Sequence, residues 1–165
     1  MKTLLILRHA KSSWKDVTQA DHDRPLNKRG LSDAPRMGQL LRDEDLLPDL
    51  IITSTARRAL MTVEGLVEAS GYDGEVHLTN DFYHASTEAI LAVLSQVPDD
   101  FQRVMVVGHN PGLEALLDVL TGEYLRIPTA ALTQVSLSIQ CWAEIGDDIM
   151  GVLVDFWRPK ELRGY

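Results

Sequence analysis

The chain has 165 residues, 45% hydrophobic and 24% charged, which suits a single folded domain over 1–165 and excludes a disordered chain. A net charge of −8 argues against a nucleic-acid surface, so positive charge at any anion site must be local. The single cysteine, Cys141, excludes an intramolecular disulfide and a cysteine-rich zinc site.

Lys2 precedes a short apolar run over 3–7, which reads as a buried strand. The run is too short for a signal-peptide core and no other run approaches a membrane span, so a reduced, cytoplasmic protein is the expectation. Arg8 and His9 end this strand, at the edge where open α/β sheets bind ligands. Residues 10–27 form an irregular segment, long for a βα connection and therefore a candidate functional loop; Trp14 either packs this loop or lines the pocket, with packing the expectation.

A helical stripe containing Met37, Leu40 and Leu41 follows, with Pro35 expected to break or kink it. A strand at 50–53 leads to Ser54, read as the cap of a helix over 55–70 whose stripe is Ala59, Thr62, Val63, Leu66 and Val67. A strand at 75–78 precedes a helix over 87–96. A buried strand at 103–107 then ends in Gly108 and His109. Asn110 and Pro111 read as cap and first residue of a helix striped by Leu113, Leu116, Leu117 and Leu120. Strands at 132–139 and 149–156 are expected to pair as an antiparallel edge hairpin across a polar turn at 146–148, with Cys141 as an inert core thiol.

Strands alternating with helices predict an α/β domain with a mainly parallel sheet. Within it, three junctions carry chemistry. Arg8 with His9, Ser54 with Arg58, and His109 all lie where a strand ends and a helix begins. Free N–H groups and the positive dipole end at such junctions attract anions. The pattern suggests two imidazoles facing one anion, with Arg8, Arg24, Arg57 and Arg58 as the candidate cations. Taken singly, each of these residues reads as readily as structure or as solvated charge.

Leu7-Arg8-His9-Ala10 resembles the Arg-His-Gly/Ala signature of the histidine phosphatase superfamily, the phosphoglycerate mutase-like fold. The stretch Ser54-Thr55-Ala56-Arg57-Arg58-Ala59-Leu60-Met61-Thr62 resembles its Ser-Pro-x-x-Arg-Ala-x-x-Thr motif, and Val107-Gly108-His109-Asn110-Pro111-Gly112 its Gly-His motif. Arg8-His9-Ala10-Lys11-Ser12-Ser13-Trp14, Asp23-Arg24-Pro25-Leu26-Asn27-Lys28-Arg29-Gly30 and Phe82-Tyr83-His84-Ala85-Ser86 look like the SixA-type phosphohistidine phosphatase branch. The similarity covers nearly the whole chain, in order. Thr55 departs from the usual Pro, and Ala10 replaces the Gly of many relatives.

The resemblance implies a three-layer αβα sandwich. It implies His9 as a nucleophile that becomes phosphorylated and Arg8, Arg24, Arg58 and His109 as the phosphate-binding set, with Arg57 a solvated neighbour. Arginine pairs of N–H donors match phosphate oxygens, and their charge leaves no need for a metal or cofactor. His9 must present a neutral nitrogen, so nearby cations should lower its pKa and its other nitrogen should donate to an acceptor such as a backbone carbonyl. His109, if protonated, would add a further cation. His84 falls near the position where larger relatives carry a Glu general acid. The expected reaction is hydrolysis of phosphohistidine on a protein such as a histidine phosphotransfer domain. The alternative is hydrolysis of a small phosphorylated metabolite such as a sugar phosphate.

Overall fold

The computed structural model describes residues 1–162. Strands β1 (Lys2–Arg8), β2 (Leu50–Ser54), β3 (Glu75–Thr79), β4 (Arg103–Gly108), β5 (Leu132–Leu137) and β6 (Gly151–Trp157) form one sheet in the order β3-β2-β4-β1-β5-β6. The strands β1 to β4 are mutually parallel, and β5 runs antiparallel to both of its neighbours, β1 and β6. Helices α1 (Lys28–Asp43), α2 (Arg57–Ser70), α3 (Thr87–Leu94) and α4 (Gly112–Thr121) complete the regular elements.

The path of the chain explains the layers. From β1 to β2 to β3 it moves outward in one direction, and right-handed crossovers then put α1 and α2 on the same face. The return from β3 to β4 reverses direction and places α3 on the other face. Accordingly Leu5, Leu7, Met105 and Val107 pack with residues of α1 and α2. Their alternating neighbours Leu4, Ile6, Val104 and Val106 pack with residues of α3 and α4. Burial on both faces is why these strands read as continuous apolar runs. Each such Leu or Ile stabilises the fold by about 1.5–3 kcal/mol. The result is the three-layer αβα sandwich with a mainly parallel sheet. Its reversal point lies among the C-terminal ends of β2, β4 and β1, where a ligand crevice forms in sheets of this kind.

Several local expectations are corrected. Helix α1 runs through Pro35 without a break. Pro35 packs at the contact with α2, where a Cβ on Gly65 would meet its ring at 3.4 Å. Helix α2 begins at Arg57 with Ala56 as its N-cap, so Ser54 is the last residue of β2 and not a cap. Pro111, not Asn110, stands at the N-cap of α4; the Asn110 amide instead donates to the Ile127 carbonyl at 2.8 Å.

The edge pair β5 and β6 is antiparallel as expected, but β5 stops at Leu137 and the connection is a long one, not a tight polar turn. Ile139, Trp142 and Ile145 anchor that connection in the core, and the Trp142 indole N–H donates to the Phe101 carbonyl at 2.7 Å. Cys141 lies there, partly exposed and outside any strand, so it is not a core thiol. Among the described residues no helix is long and apolar enough to cross a membrane.

Candidate active site

Parallel pairing of β1 with β4 sets Arg8 opposite Gly108, and the His9 amide donates to the Gly108 carbonyl at 3.1 Å. The side chains of His9 and His109, a hundred positions apart, thereby meet with ring centroids 5.0 Å apart. They share a cavity of about 230 Å³ with Arg8, Arg24, Arg58 and His84. The structure thus brings together every sequence-predicted site residue except Arg57, which is exposed on the first turn of α2.

The His9 Nδ1 lies 2.7 Å from the Ala10 carbonyl oxygen. A carbonyl can only accept, so Nδ1 carries the proton and Nε2 keeps its lone pair. Burial, followed by the charges of Arg58, Arg8 and Arg24, lowers the His9 pKa to about 4. The ring is therefore neutral at neutral pH, and desolvation is the largest single cause, ahead of each of the cations the sequence pointed to.

His109 is likewise driven down, to about 3, by burial first and by His9 and Arg58 next. At neutral pH it is a neutral group, so the protonation on which its role as a further cation depended is not met in the unliganded site. Its Nε2 lies 2.8 Å from Ser54 Oγ, and the Ser54 oxygen also accepts the Ala56 amide at 3.2 Å. If the Ser54 hydroxyl donates to Nε2, the proton of His109 sits on Nδ1. That Nδ1 is buried and has no partner.

The arginines are held in place. Arg58 Nη1 donates to the Asp21 carbonyl at 2.8 Å and Nη2 to the Asp21 carboxylate at 3.1 Å. Arg24 Nε donates to the same carboxylate at 3.0 Å and Nη1 to Ser12 Oγ at 2.8 Å. Arg8 Nη1 reaches the Ile127 carbonyl at 3.1 Å. The Nε atoms of both Arg8 and Arg58 are buried without a partner. Unpaired buried donors are costly; Arg103 and Arg158 carry such Nε atoms too, but only Arg8 and Arg58 of these four line the cavity.

Sequence reasoning missed four members of this arrangement. Asp21, on a short 3-10 turn (Asp21–Asp23) inside the irregular segment, accepts from Arg24, Arg58 and the Tyr83 hydroxyl, the last at 2.5 Å. The Tyr83 hydrogen bond, with those from the two arginines, holds its carboxyl well below the usual carboxylate range. Thr62 was legible only as part of a helical stripe and a motif. Its Oγ1 accepts the Ala10 amide at 2.9 Å and donates to the Arg58 carbonyl at 2.7 Å, tying the His9 loop to α2.

Ser12 pairs with Leu26 across the loop, and Gly30 lets α1 close on it, since a Cβ there would sit 2.2 Å from the Lys11 carbonyl oxygen. Of the two readings of Trp14, the structure supports the pocket-lining one. The residue is exposed, its ring lies 3.5 Å from the Arg24 guanidinium carbon, and it lines the cavity. His84 is exposed at the rim with φ 53, its ring against Tyr83. Among the described residues no Asp or Glu lines the cavity.

The model of branch 1 of the histidine phosphatase superfamily matches residues 4–83. An uncharacterised chloroplast protein of Arabidopsis thaliana is 35% identical over 144 residues, which cover 81% of this chain and 66% of that protein. A solved structure designated a candidate phosphohistidine phosphatase SixA, from Agrobacterium tumefaciens, superposes with TM-score 0.83 at 30% identity, covering 96% of this chain and 98% of that one. Another so designated, from Nakamurella multipartitia, gives 0.82 at 29%, covering 96% of each. The chain spans about two thirds of the plant relative but almost all of these two structures. With its two histidines and three arginines gathered at the reversal point of this sheet, the chain belongs to the histidine phosphatase superfamily and groups with its SixA-type members.

Proposed function

We propose that the protein is a metal-independent phosphatase that hydrolyses phosphohistidine on a protein, with His9 as the group transiently phosphorylated. The observation that carries this reading is the absence of any carboxylate among the described residues that line the cavity. The carboxyl that holds Arg24 and Arg58, Asp21, is kept ionised by three donors and has no proton to give. An alkoxide leaving group needs a strong proton donor. A phosphorylated imidazole takes up its proton beforehand on the distal nitrogen and leaves as neutral imidazole.

In the first step His9 Nε2 attacks phosphorus, a new P–N bond forms, and the substrate P–N bond breaks with its electron pair returning to the substrate ring. The bonds made and broken are of the same kind. The positive charge that the substrate ring loses appears on the His9 ring, whose Nδ1–H already faces the Ala10 carbonyl. Water then attacks phosphorus, the His9 P–N bond breaks, and the water proton leaves with the phosphate. Arg8, Arg24 and Arg58 surround the phosphoryl oxygens with the charge that another enzyme would take from a metal. His109 Nδ1 is the fourth donor. His84, at the rim, serves as general acid only for ester substrates, and phosphohistidine does not require it.

The test offers the protein a phosphohistidine-bearing phosphotransfer domain, an aryl phosphate and a panel of sugar phosphates, beside His9→Ala. The phosphoprotein is expected to turn over fastest, and His9→Ala to lose all of these activities. Faster turnover of a sugar phosphate would favour the metabolite reading, and full activity in His9→Ala would remove the mechanism.

A further inference from the structure

Beside the phosphate cavity lies a second, larger groove of about 900 Å³, walled by the start of the irregular segment and the start of α1. Lys11, Ser12 and Trp14 line both, so the two are adjacent. Four basic residues line the groove, Lys11, Lys15, Lys28 and Arg29, and among the described residues no Asp or Glu does. Arg29 is drawn to Asp33 at 3.5 Å. The three lysines are exposed, and none takes part in an ion pair among the described residues. The walls are apolar between these charges, with Trp14 at 69% and Leu31 at 53% exposure.

This patch stands out on a chain of net charge −8. A general acidic surface repels an acidic partner, while a local basic groove attracts and orients it. A single phosphoryl group is already surrounded by Arg8, Arg24 and Arg58, so three further unpaired cations exceed what the phosphate alone can use. Lys15 and Lys28 line this groove and not the phosphate cavity, so a ligand that meets them must extend beyond its phosphoryl group. An extended segment of polypeptide does so.

We propose that this groove binds an acidic stretch of polypeptide flanking the phosphorylated side chain. It would thereby select, among phosphohistidine proteins, those whose phosphorylated site is bordered by Asp and Glu. The proposal rests on the phosphohistidine reading and adds the sequence surroundings of the substrate. Trp14 links the two sites: its exposed face contacts the segment while its ring stacks on Arg24, which holds the phosphate.

The experiment uses synthetic phosphohistidine peptides of equal length whose flanks carry four Glu, four Gln or four Lys. It compares the wild type with a Lys15→Glu, Lys28→Glu double variant. Neither substituted residue lines the phosphate cavity. The wild type is expected to show about tenfold higher kcat/KM for the acidic peptide than for the neutral one, weakening with salt. The double variant is expected to lose that preference through KM while hydrolysing an aryl phosphate as before. Binding of the same peptides to His9→Ala protein, with and without the two lysine changes, is read separately by Trp fluorescence. Equal kcat/KM or equal binding across the three peptides overturns the groove, as does an unchanged preference in the double variant. If no peptide is hydrolysed while the aryl phosphate is, the phosphohistidine reading fails, and the binding arm still decides whether the groove selects acidic segments.

Discussion

Asp21 grips Arg58 twice, through its backbone carbonyl at 2.8 Å and its carboxylate at 3.1 Å, although 37 positions separate the two in the chain. The same carboxylate holds Arg24 Nε. One acidic residue thereby aims two of the three guanidinium groups around the cavity, without itself lining it.

Asp21→Asn keeps the size of this side chain and removes its charge. A hydrogen bond to a charged group is worth about 1.5–3 kcal/mol, so kcat/KM for an aryl phosphate is expected to fall by about one to two orders of magnitude. The carboxyl titrates below the usual range, so its contribution is complete at neutral pH and is lost only as pH falls through that depressed value. Wild-type activity between pH 5 and 8 should therefore show no titration of Asp21. An unchanged kcat/KM in the variant would mean that Arg24 and Arg58 do not depend on this anchor.

The pH profile of the free enzyme follows from His9. Its neutral form persists down to about 4, so kcat/KM for an aryl phosphate, corrected for ionisation of the substrate, should stay level down to roughly pH 5, a unit above that pKa. An acid limb centred near the ordinary histidine value of about 6.5 would contradict this. The same shift affects stability. His9 and His109 have folded values of about 4 and about 3, below their ordinary value, so the unfolded chain binds more protons in this window. Their contribution is present above about pH 6.5 and declines as the pH falls towards the folded values. Urea midpoints should decrease over that range, and less steeply in His109→Gln.

Arg58 and Arg57 are adjacent in sequence and opposite in environment, one buried and one exposed. Arg58→Ala removes a cavity guanidinium and strands Asp21, and is expected to lower kcat/KM at least a hundredfold. Arg57→Ala should stay within about twofold, as an exposed charge away from the cavity does. Equal losses in steady-state kinetics would show that α2 presents the other arginine.

Thr62→Val preserves shape but leaves the Ala10 amide and the Arg58 carbonyl without their shared partner. Thr62 is wholly buried, so the cost to folding should be about 1–3 kcal/mol, visible as a lower urea midpoint with an unchanged slope. Activity should fall as well, since Ala10 also supplies the carbonyl that fixes the His9 tautomer. A variant as stable and as active as the parent would mean that this bridge is incidental.

The strands could be read because burial on both faces leaves a local mark, an unbroken apolar run, and the ends of such runs located His9, Ser54 and His109. Arg58 was separable from Arg57 only through motif register, since composition treats them alike. Helix starts were less legible. Ser54 and Asn110 are good capping residues, yet Ser54 bonds His109 and Asn110 bonds the Ile127 carbonyl, because a nearby tertiary partner competed with the cap. Cys141 was misplaced, and Trp14 left between two readings, for a related reason. Exposure depends on what the rest of the chain brings alongside, and neither residue lies in an element whose periodicity reveals it.

What the sequence by itself determined was the layered α/β fold, the places where β1, β2 and β4 end, and the candidate residues that gather there. Each of these follows from contacts between near neighbours or from a motif contained in a few positions. Tertiary structure alone decided that Asp21 clamps two arginines and that Thr62 ties the His9 loop to α2. It also decided that burial is the largest single cause keeping both histidines neutral, and that three lysines with no ion pair among the described residues gather beside the cavity. Those relationships join distant segments through hydrogen bonding and desolvation, and neither force leaves a period in the chain.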